Sequence, residues 1–409
     1  MADKSARAKN NKVVRTKNKR KILSLIHIRK QASIDMLVSA SSLSYPTVFG
    51  IVKELTLQGV LEKQGYAPTT GGRQASYYSI CANYYYTIGI HIYVKWISLT
   101  ISTIKGGIVY EMQNTGDFHA VSDDDLVQKV SLMIDSAITA TRIDKDKFIA
   151  LKICSADQSP ACLHISAYRG LSSSVDMHHI TTEIERTTGI RTNHVSEKVV
   201  LNFMERTNYV YSKLESFIHI VFEHGLELSV YRKSSDHADI TELNGCFGHT
   251  TIIPDGAPCS CGCSGCIETY CNGRGLYGYY QSLIQDQNIT IDSFEEMAEI
   301  GVFYTILHRC RMQDPFALQA MDYMLSLLGI SIANLIKTLG IGTIVLSGFF
   351  TSSDSVLKDN LEQYIRDNFP KNCLQDVQVI IGMVSLEDCS YGACLIENDE
   401  HLKNFDFID

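Results

Sequence analysis

Residues 248–268, GHTTIIPDGAPCSCGCSGCIE, crowd one histidine and four cysteines into a single short stretch. His249, Cys259, Cys261, Cys263 and Cys266 are donors of the kind that hold zinc, and one imidazole with three thiolates makes a tetrahedral structural site. Gly262 and Gly265 let the backbone fold around an ion. The stretch supplies one thiol more than such a site needs. A catalytic zinc is a poorer match, because four protein ligands leave no open position for water. Of the other cysteines, Cys81, Cys154, Cys162, Cys310, Cys373 and Cys394 stand singly in apolar stretches, and they read as buried thiols of a reducing compartment.

Around this stretch, residues 81–409 alternate strand-like and helix-like runs. YYTIGIHIY, WISLTIST, FIALKIC, FIHIVFEH and ELSVYRK read as strands, with helices over 123–141 and 178–188 between them. After the cysteines come helices around 273–285, 292–309 and 315–338, a buried strand GTIVLSG (342–348), a helix 354–369, a strand VQVIIGMV and a C-terminal helix. This pattern predicts an α/β body of two lobes with helices on mixed sheets. No internal sequence repeat is evident.

Residues 19–80 form a separate module. KRKILSLIHIRK (19–30) carries an apolar face, Ser33 is a fair N-cap for the helix SIDMLVSA, and Ser44 caps a third helix with Pro46 in its first turn. Val48, Ile51, Val52 and Leu55 share one face of that helix, leaving Tyr45, Phe49, Gly50 and Lys53 on the other. Two short helices across a tight turn predict a helix-turn-helix whose second helix enters a DNA major groove. VLEKQGY and QASYYSI, joined by residues 67–73, predict a wing with Arg73 at its tip, suited to phosphate or minor-groove contact. Ser44, Tyr45, Thr47, Phe49, Lys53 and Arg73 are the candidate DNA-contacting residues.

The cysteine stretch resembles the zinc signature of the ROK family, the group of repressors, open reading frames and sugar kinases. SYPTVFGIVKELTLQGVLEKQG with TTGGRQASYYSI resembles that family's repressor-type winged helix, and LSLLGISIANLIKTLGIGTIVLSGFF its C-terminal helix and strand. The resemblance implies a winged helix-turn-helix ahead of a two-lobed actin-like, sugar-kinase-like (ribonuclease H-like) body at 81–409, with the zinc motif at 249–266. It also implies His249, Cys259, Cys261 and Cys266 as the ligands of a structural Zn2+, with Cys263 spare.

Against the family's kinases the sequence departs at each working part. Where their first phosphate turn reads approximately D-x-G-G-T, this chain has His91, Tyr93, Val94 and Lys95, whose bulk keeps backbone amides from phosphate. Where a second glycine-rich turn is expected, EHGLELS places Glu223 and Glu227, and carboxylates repel phosphate. The catalytic N-D-A-N stretch aligns with Glu197, Lys198, Val199 and Val200, so an ammonium stands where a general base is required. No catalytic residue is assigned and no kinase activity is expected. In the family's sugar pocket, a Glu upstream of the zinc His is replaced by Cys246, while His249 and Glu268 remain. Glu197, Lys198, His249 and Glu268 are the candidate effector-binding residues.

Charge supports a DNA partner. The chain carries −8 overall, yet residues 1–21 hold nine Lys or Arg against Asp3, leaving −16 for the rest. A flexible basic arm over 1–18 ahead of an acidic body can hold phosphates while the body resists polyanions. No apolar run reaches a spanning length and the N-terminus lacks a signal-peptide core, so a cytoplasmic location with no membrane partner is expected. The sequence therefore predicts a DNA-binding transcriptional regulator, a repressor of carbohydrate-related genes, acting as a homodimer or higher homo-oligomer on a double-stranded operator with a sugar-derived effector. Zinc is expected to fix the hinge between the DNA module and the effector lobe. The competing readings are a sugar kinase with an accessory DNA domain and a protein-binding platform with a vestigial sugar site.

Overall fold

The computed structural model describes residues 2–66, 75–118, 121–156, 175–207, 214–222, 225–233, 238–241, 247–285, 299–348, 355–368, 377–405 and 407. The chain begins with α1 (Ala2–Arg29), followed by β1 (Ala32–Ser33), α2 (Ile34–Ser41), α3 (Tyr45–Leu57), β2 (Leu61–Tyr66) and β3 (Ser76–Ile80). The expected flexible arm is thus helix from Ala2 onward. Residues 2–29 contain no Gly or Pro and are rich in Ala, Lys and Arg, which lose little on entering a helix. One turn apart on α1, Arg15 and Lys19 both reach Glu54 of α3, Lys19 at 2.7 Å, and this fastens the helix to the module. The strands form a small sheet in the order β1-β3-β2, all antiparallel. Ile22, Leu23, Ile26, Leu37, Val48, Ile51, Val52 and Leu55 fill the space beneath it.

The first lobe is a five-stranded sheet of β4 (Tyr86–Ile92), β5 (Trp96–Thr103), β6 (Ile108–Thr115), β7 (Phe148–Ser155) and β8 (Thr192–Ser196), in the order β6-β5-β4-β7-β8. Helices α4 (Asp123–Thr141) and α5 (Met177–Thr188) cover one face through Leu126, Val130, Ile134, Ile180 and Ile184. After α6 (Glu197–Thr207), the second lobe repeats the plan with β9 (Ser216–Phe222), β10 (Leu226–Lys233), β11 (Ala238–Thr241), β12 (Thr343–Gly348) and β13 (Gln378–Ile381), in the order β11-β10-β9-β12-β13. In both sheets the first three strands are antiparallel and the last two join in parallel. The two sheets share one strand order and sense, although no sequence repeat marks them.

Inserted in the second lobe are α7 (Glu268–Cys271), α8 (Gly273–Ile284), α9 (Glu299–Arg311) and α10 (Pro315–Leu339), and α11 (Ser355–Asp367) links its last two strands. By length and composition α10 is apolar enough to cross a membrane, but Ala320, Met324, Leu328, Ile332 and Ala333 bury it in this lobe's core. The final helix, α12 (Cys389–Asn404), leaves the second lobe and packs on the first sheet. There Thr100 meets Ser390 at 2.9 Å, and Asn398 bonds both Thr87 and Ser102 at 3.0 Å. Leu402 and Phe405, at and just beyond its end, join Ile104 in the core of the N-terminal module. The module is therefore seated on α12 and the first lobe, and none of residues 249–266 belongs to its core.

Helix α6 lies between the lobes. Its Glu205, fully buried, accepts hydrogen bonds from the backbone N–H of Met383 (2.7 Å) and Val384 (3.1 Å) and from the Ser347 hydroxyl (3.0 Å). These bonds draw the chain out of the ladder, so β13 ends at Ile381 although apolar residues continue to Val384. With the Ser347 proton given to Glu205, His219 Nε2 donates to the same oxygen at 2.8 Å. Burial pushes the His219 imidazole down to about 3.

Two predictions follow from this packing. A Cβ at Gly89 of β4 would lie 1.9 Å from the Ser390 carbonyl, whereas one at Gly50 of α3 would meet nothing within 4 Å. Gly89→Ala should cost about 2–3 kcal/mol or more in denaturant unfolding, and Gly50→Ala should gain about 0.5–1 kcal/mol. For His219, the folded base stays neutral while the unfolded one protonates below about 6.5, so stability falls as pH drops from there toward 3. Between pH 7 and 5 the wild type should lose about 2 kcal/mol more than His219→Gln. Burial raises the Glu205 carboxyl, which acts in the opposite sense in both proteins and cancels in the comparison. Parallel curves would show that His219 protonates in the folded state.

Candidate DNA interface and metal centre

Helix α2 starts at Ser33, whose hydroxyl accepts from the Met36 N–H at 3.3 Å, and ends at Ser42 in the left-handed region (φ 58°). That sharp turn sets α3 across α2. Ser44 caps α3 through its carbonyl, which accepts from Val48 N–H at 3.0 Å, and not through its hydroxyl, which pairs with the Thr47 hydroxyl at 2.8 Å. Val48, Ile51, Val52 and Leu55 are buried as the periodicity predicts, and this turns Ser44, Tyr45, Thr47, Phe49 and Lys53 outward. Tyr45 and Phe49 are 51% and 47% exposed and stack with ring centroids 6.2 Å apart. Two half-exposed rings one helical turn apart form an apolar ledge of the kind that contacts thymine methyl groups. Arg73 lies outside the described residues.

Glu54 would be a poor neighbour for phosphate on this helix. Hydrogen bonds from Lys19 and Arg15 hold its carboxyl below the usual range, so α1 cancels the one acid in α3. Arg15, Lys17, Arg20 and Lys21 remain exposed along α1.

In the second lobe, a 3-10 turn at Phe247–His249 leads into the cysteine loop. Short bridges between Thr251 and Cys266 and between Pro258 and Ser264 fold the loop back on itself. A Cβ at Gly265 would lie 1.7 Å from the Ile253 carbonyl, so only glycine admits this fold. His249 Nδ1 comes 3.3 Å from Cys259 Sγ, Cys261 Sγ lies 3.6 Å from Cys266 Sγ, and one donor from each of the four falls within 4.8 Å of the others. Cys263 is exposed and outside the group, and its carbonyl accepts from the Cys259 N–H at 2.8 Å. Burial and the neighbouring thiols push the Cys266 thiol up. Crowding of this kind is relieved when a cation draws off the protons, and one imidazole with three sulfurs is a donor set that fits zinc.

Beside this loop is a cavity of about 580 Å³ lined in part by Cys259, Ser260, Glu268, Arg274, Tyr279 and Tyr323. Of the four candidate effector residues only Glu268 lines it. A Glu268 oxygen also accepts from the Leu226 N–H at 3.4 Å, which ties α7 to the start of β10. Glu197 and Lys198 sit at the start of α6, between the lobes, 8% and 6% exposed.

The end of β4, where a kinase would bind phosphate, is filled with side chains. His91 is fully buried with Nε2 2.8 Å from Glu197, and Tyr93 packs on Trp96 with centroids 4.2 Å apart. The pairing of His91 with Glu197, 106 residues apart, was not foreseen; the sequence marks His91 only as a residue out of place in a glycine turn. Glu223 falls outside the described residues.

The family model described as "ROK family" matches residues 88–395. A protein of Caldicellulosiruptor sp. (strain Rt8B.4), carrying the provisional name of xylose repressor, is 22% identical over 406 residues, covering 98% of this chain and all of the relative. Among solved structures, a ROK family transcriptional regulator described as a homolog of the E. coli MLC protein superposes with a TM-score of 0.74 at 19% identity, over 96% of this chain and 97% of that one. A ROK hexokinase from Thermus thermophilus matches at TM-score 0.58 and 15% identity, over 76% of this chain and 97% of its own. The regulator thus matches nearly the whole chain, while the hexokinase matches about three quarters of it. With its winged helix-turn-helix, its paired actin-like sheets and a family match over most of its length, this chain belongs to the ROK family.

Proposed function

We propose that the protein is a DNA-binding transcriptional regulator that represses carbohydrate-related genes from the cytoplasm. The observation that carries this reading is the outward face of α3, where Ser44, Tyr45, Thr47, Phe49 and Lys53 are all exposed while the opposite face is anchored in the module's core. In this reading α3 lies in the major groove, Lys53 and the exposed basic residues of α1 contact phosphates, and the wing carrying Arg73 reaches the flanking groove. A homodimer presents two such modules to a pseudo-palindromic operator.

The body binds rather than catalyses. The filled end of β4 leaves no turn of free amides for a phosphate, and Lys198 offers no base to a sugar hydroxyl. A sugar-derived effector fits the cavity that Glu268 lines. His249, Cys259, Cys261 and Cys266 would hold zinc, which supplies a structural cross-link of the loop forming one wall of that cavity.

The reading is tested by selecting fragmented host DNA on zinc-loaded protein at near-physiological salt. A shared pseudo-palindrome upstream of a few genes is expected; uniform retention would overturn specific regulation. On that operator, Phe49→Ala should weaken binding by about tenfold, or about 1.4 kcal/mol, and leave binding to random DNA nearly unchanged. Lys53→Ala should weaken both and lower the salt slope by about 1. No ATP consumption is expected with common hexoses, and turnover would restore the kinase reading. The double variant Cys259→Ala/Cys261→Ala should lose one zinc per chain and melt lower by about 5 °C or more. An unchanged zinc count would remove the metal from this loop.

A further inference from the structure

A second cluster of metal-type donors lies in the first lobe, in a place that neither the regulator reading nor the zinc loop uses. His91 is the sixth residue of β4, and the parallel register pairs it with Cys154 of β7, so both side chains point to one face of the sheet. On that face α12 begins at Cys389 and α6 begins at Glu197. His91, Cys154 and Cys389 are all fully buried. One donor atom from each lies within 4.8 Å of the other two, and the two thiols share a hydrogen bond.

The state of the histidine decides what this cluster can do. Its Nε2 is 2.8 Å from a carboxylate oxygen of Glu197, so that nitrogen carries the proton and donates it. Nδ1 is then an unprotonated lone pair, and it is buried with no hydrogen-bond partner among the described residues. A carboxylate that fixes the tautomer of an imidazole whose other nitrogen faces soft donors is the usual arrangement behind a metal-ligating histidine. An unpartnered buried nitrogen otherwise costs free energy that a water or an ion would recover.

We propose that His91 Nδ1, Cys154 Sγ and Cys389 Sγ form a second, fully enclosed site for a thiophilic d10 cation, zinc or cuprous copper, with Glu197 as the positioning residue. Binding breaks two S–H bonds, releases two protons to solvent, and makes two metal–sulfur bonds and one metal–nitrogen bond without redox change. Two thiolates and an imidazole are soft enough to select these ions over magnesium or calcium. Zinc would leave the buried site neutral, whereas cuprous copper is content with the three donors present. The ligands come from β4, β7 and α12, so the ion would join the last helix of the chain to the central strands of the first sheet.

The test counts metal on full-length protein purified under reductant from cells supplied with zinc and, separately, with copper. Elemental analysis of the wild type should find two d10 ions per chain. Cys259→Ala/Cys261→Ala should retain one, and adding Cys154→Ser/Cys389→Ser to that variant should remove it; the identity of the retained ion separates zinc from copper. Because loss of two buried thiols can unfold the lobe, the decisive protein is Cys259→Ala/Cys261→Ala, in which the proposed site is intact. Retention of about one ion there, with a thiolate-to-metal absorption on cobalt(II) exchange, supports the site. A wild-type count of one that falls to zero in that variant would overturn it, as would a Cys154–Cys389 disulfide in the reduced preparation.

Discussion

Helix α12 rests on the first sheet at a point where a hydrogen stands in place of a side chain. The Ser390 carbonyl occupies the position that a Cβ of Gly89 would take, with Cys394 Sγ 2.9 Å from the same point. This approach lets a row of small polar groups, Thr87, Thr100, Ser102, Ser390 and Asn398, bond directly between strand and helix. Everything α12 supports then follows. It closes the face of the first sheet left uncovered by α4 and α5, and its end supplies Leu402 to the core of the DNA module. Buried Lys152 adds direction to the contact by pairing with Glu397 at 2.9 Å and Glu400 at 3.0 Å, both on α12.

The body shares its two-sheet fold with the ROK hexokinase, and side chains fill one end of its cleft. An actin-like pair of sheets brings strand ends together across a crevice, and ligands bind at such ends when backbone amides are left free. In this chain His91, Tyr93 and Trp96 fill one of those ends, and Glu197 at the start of α6 is engaged by His91. The loop whose fold depends on glycine at 265 brings His249, Cys259, Cys261 and Cys266 together.

What could be read from the sequence was what is written locally. The clustering of His249, Cys259, Cys261 and Cys266 is legible because they fall within eighteen positions, and α3 because Val48, Ile51, Val52 and Leu55 repeat with helical period. Boundaries set from far away were not legible. The early end of β13 depends on Glu205, 178 residues before Met383, and the pairing of His91 with Glu197 spans 106. Helix α6, which joins the lobes, was passed over because its buried residues include Glu197, Lys198, Asn202 and Glu205, so hydrophobic period does not mark it. The twin plan of the sheets lies in strand order and sense, which diverging side chains leave intact. Helix α1 is held on the module by Glu54 of another helix, which pairs with its Arg15 and Lys19.

The seat of the DNA module has a consequence for synthesis. Its core includes Leu402 and Phe405, so a module built mainly from residues before 81 is completed by residues made some three hundred positions later. At about 5–20 residues per second, the stretch between Ile104 and Leu402 takes roughly 15–60 s to make. During that time the module's underside and the bare face of the first sheet both wait for one helix. Until then the nascent protein carries uncovered apolar surface, and the winged-helix module is firmly mounted only once Leu402 and Phe405 have been made.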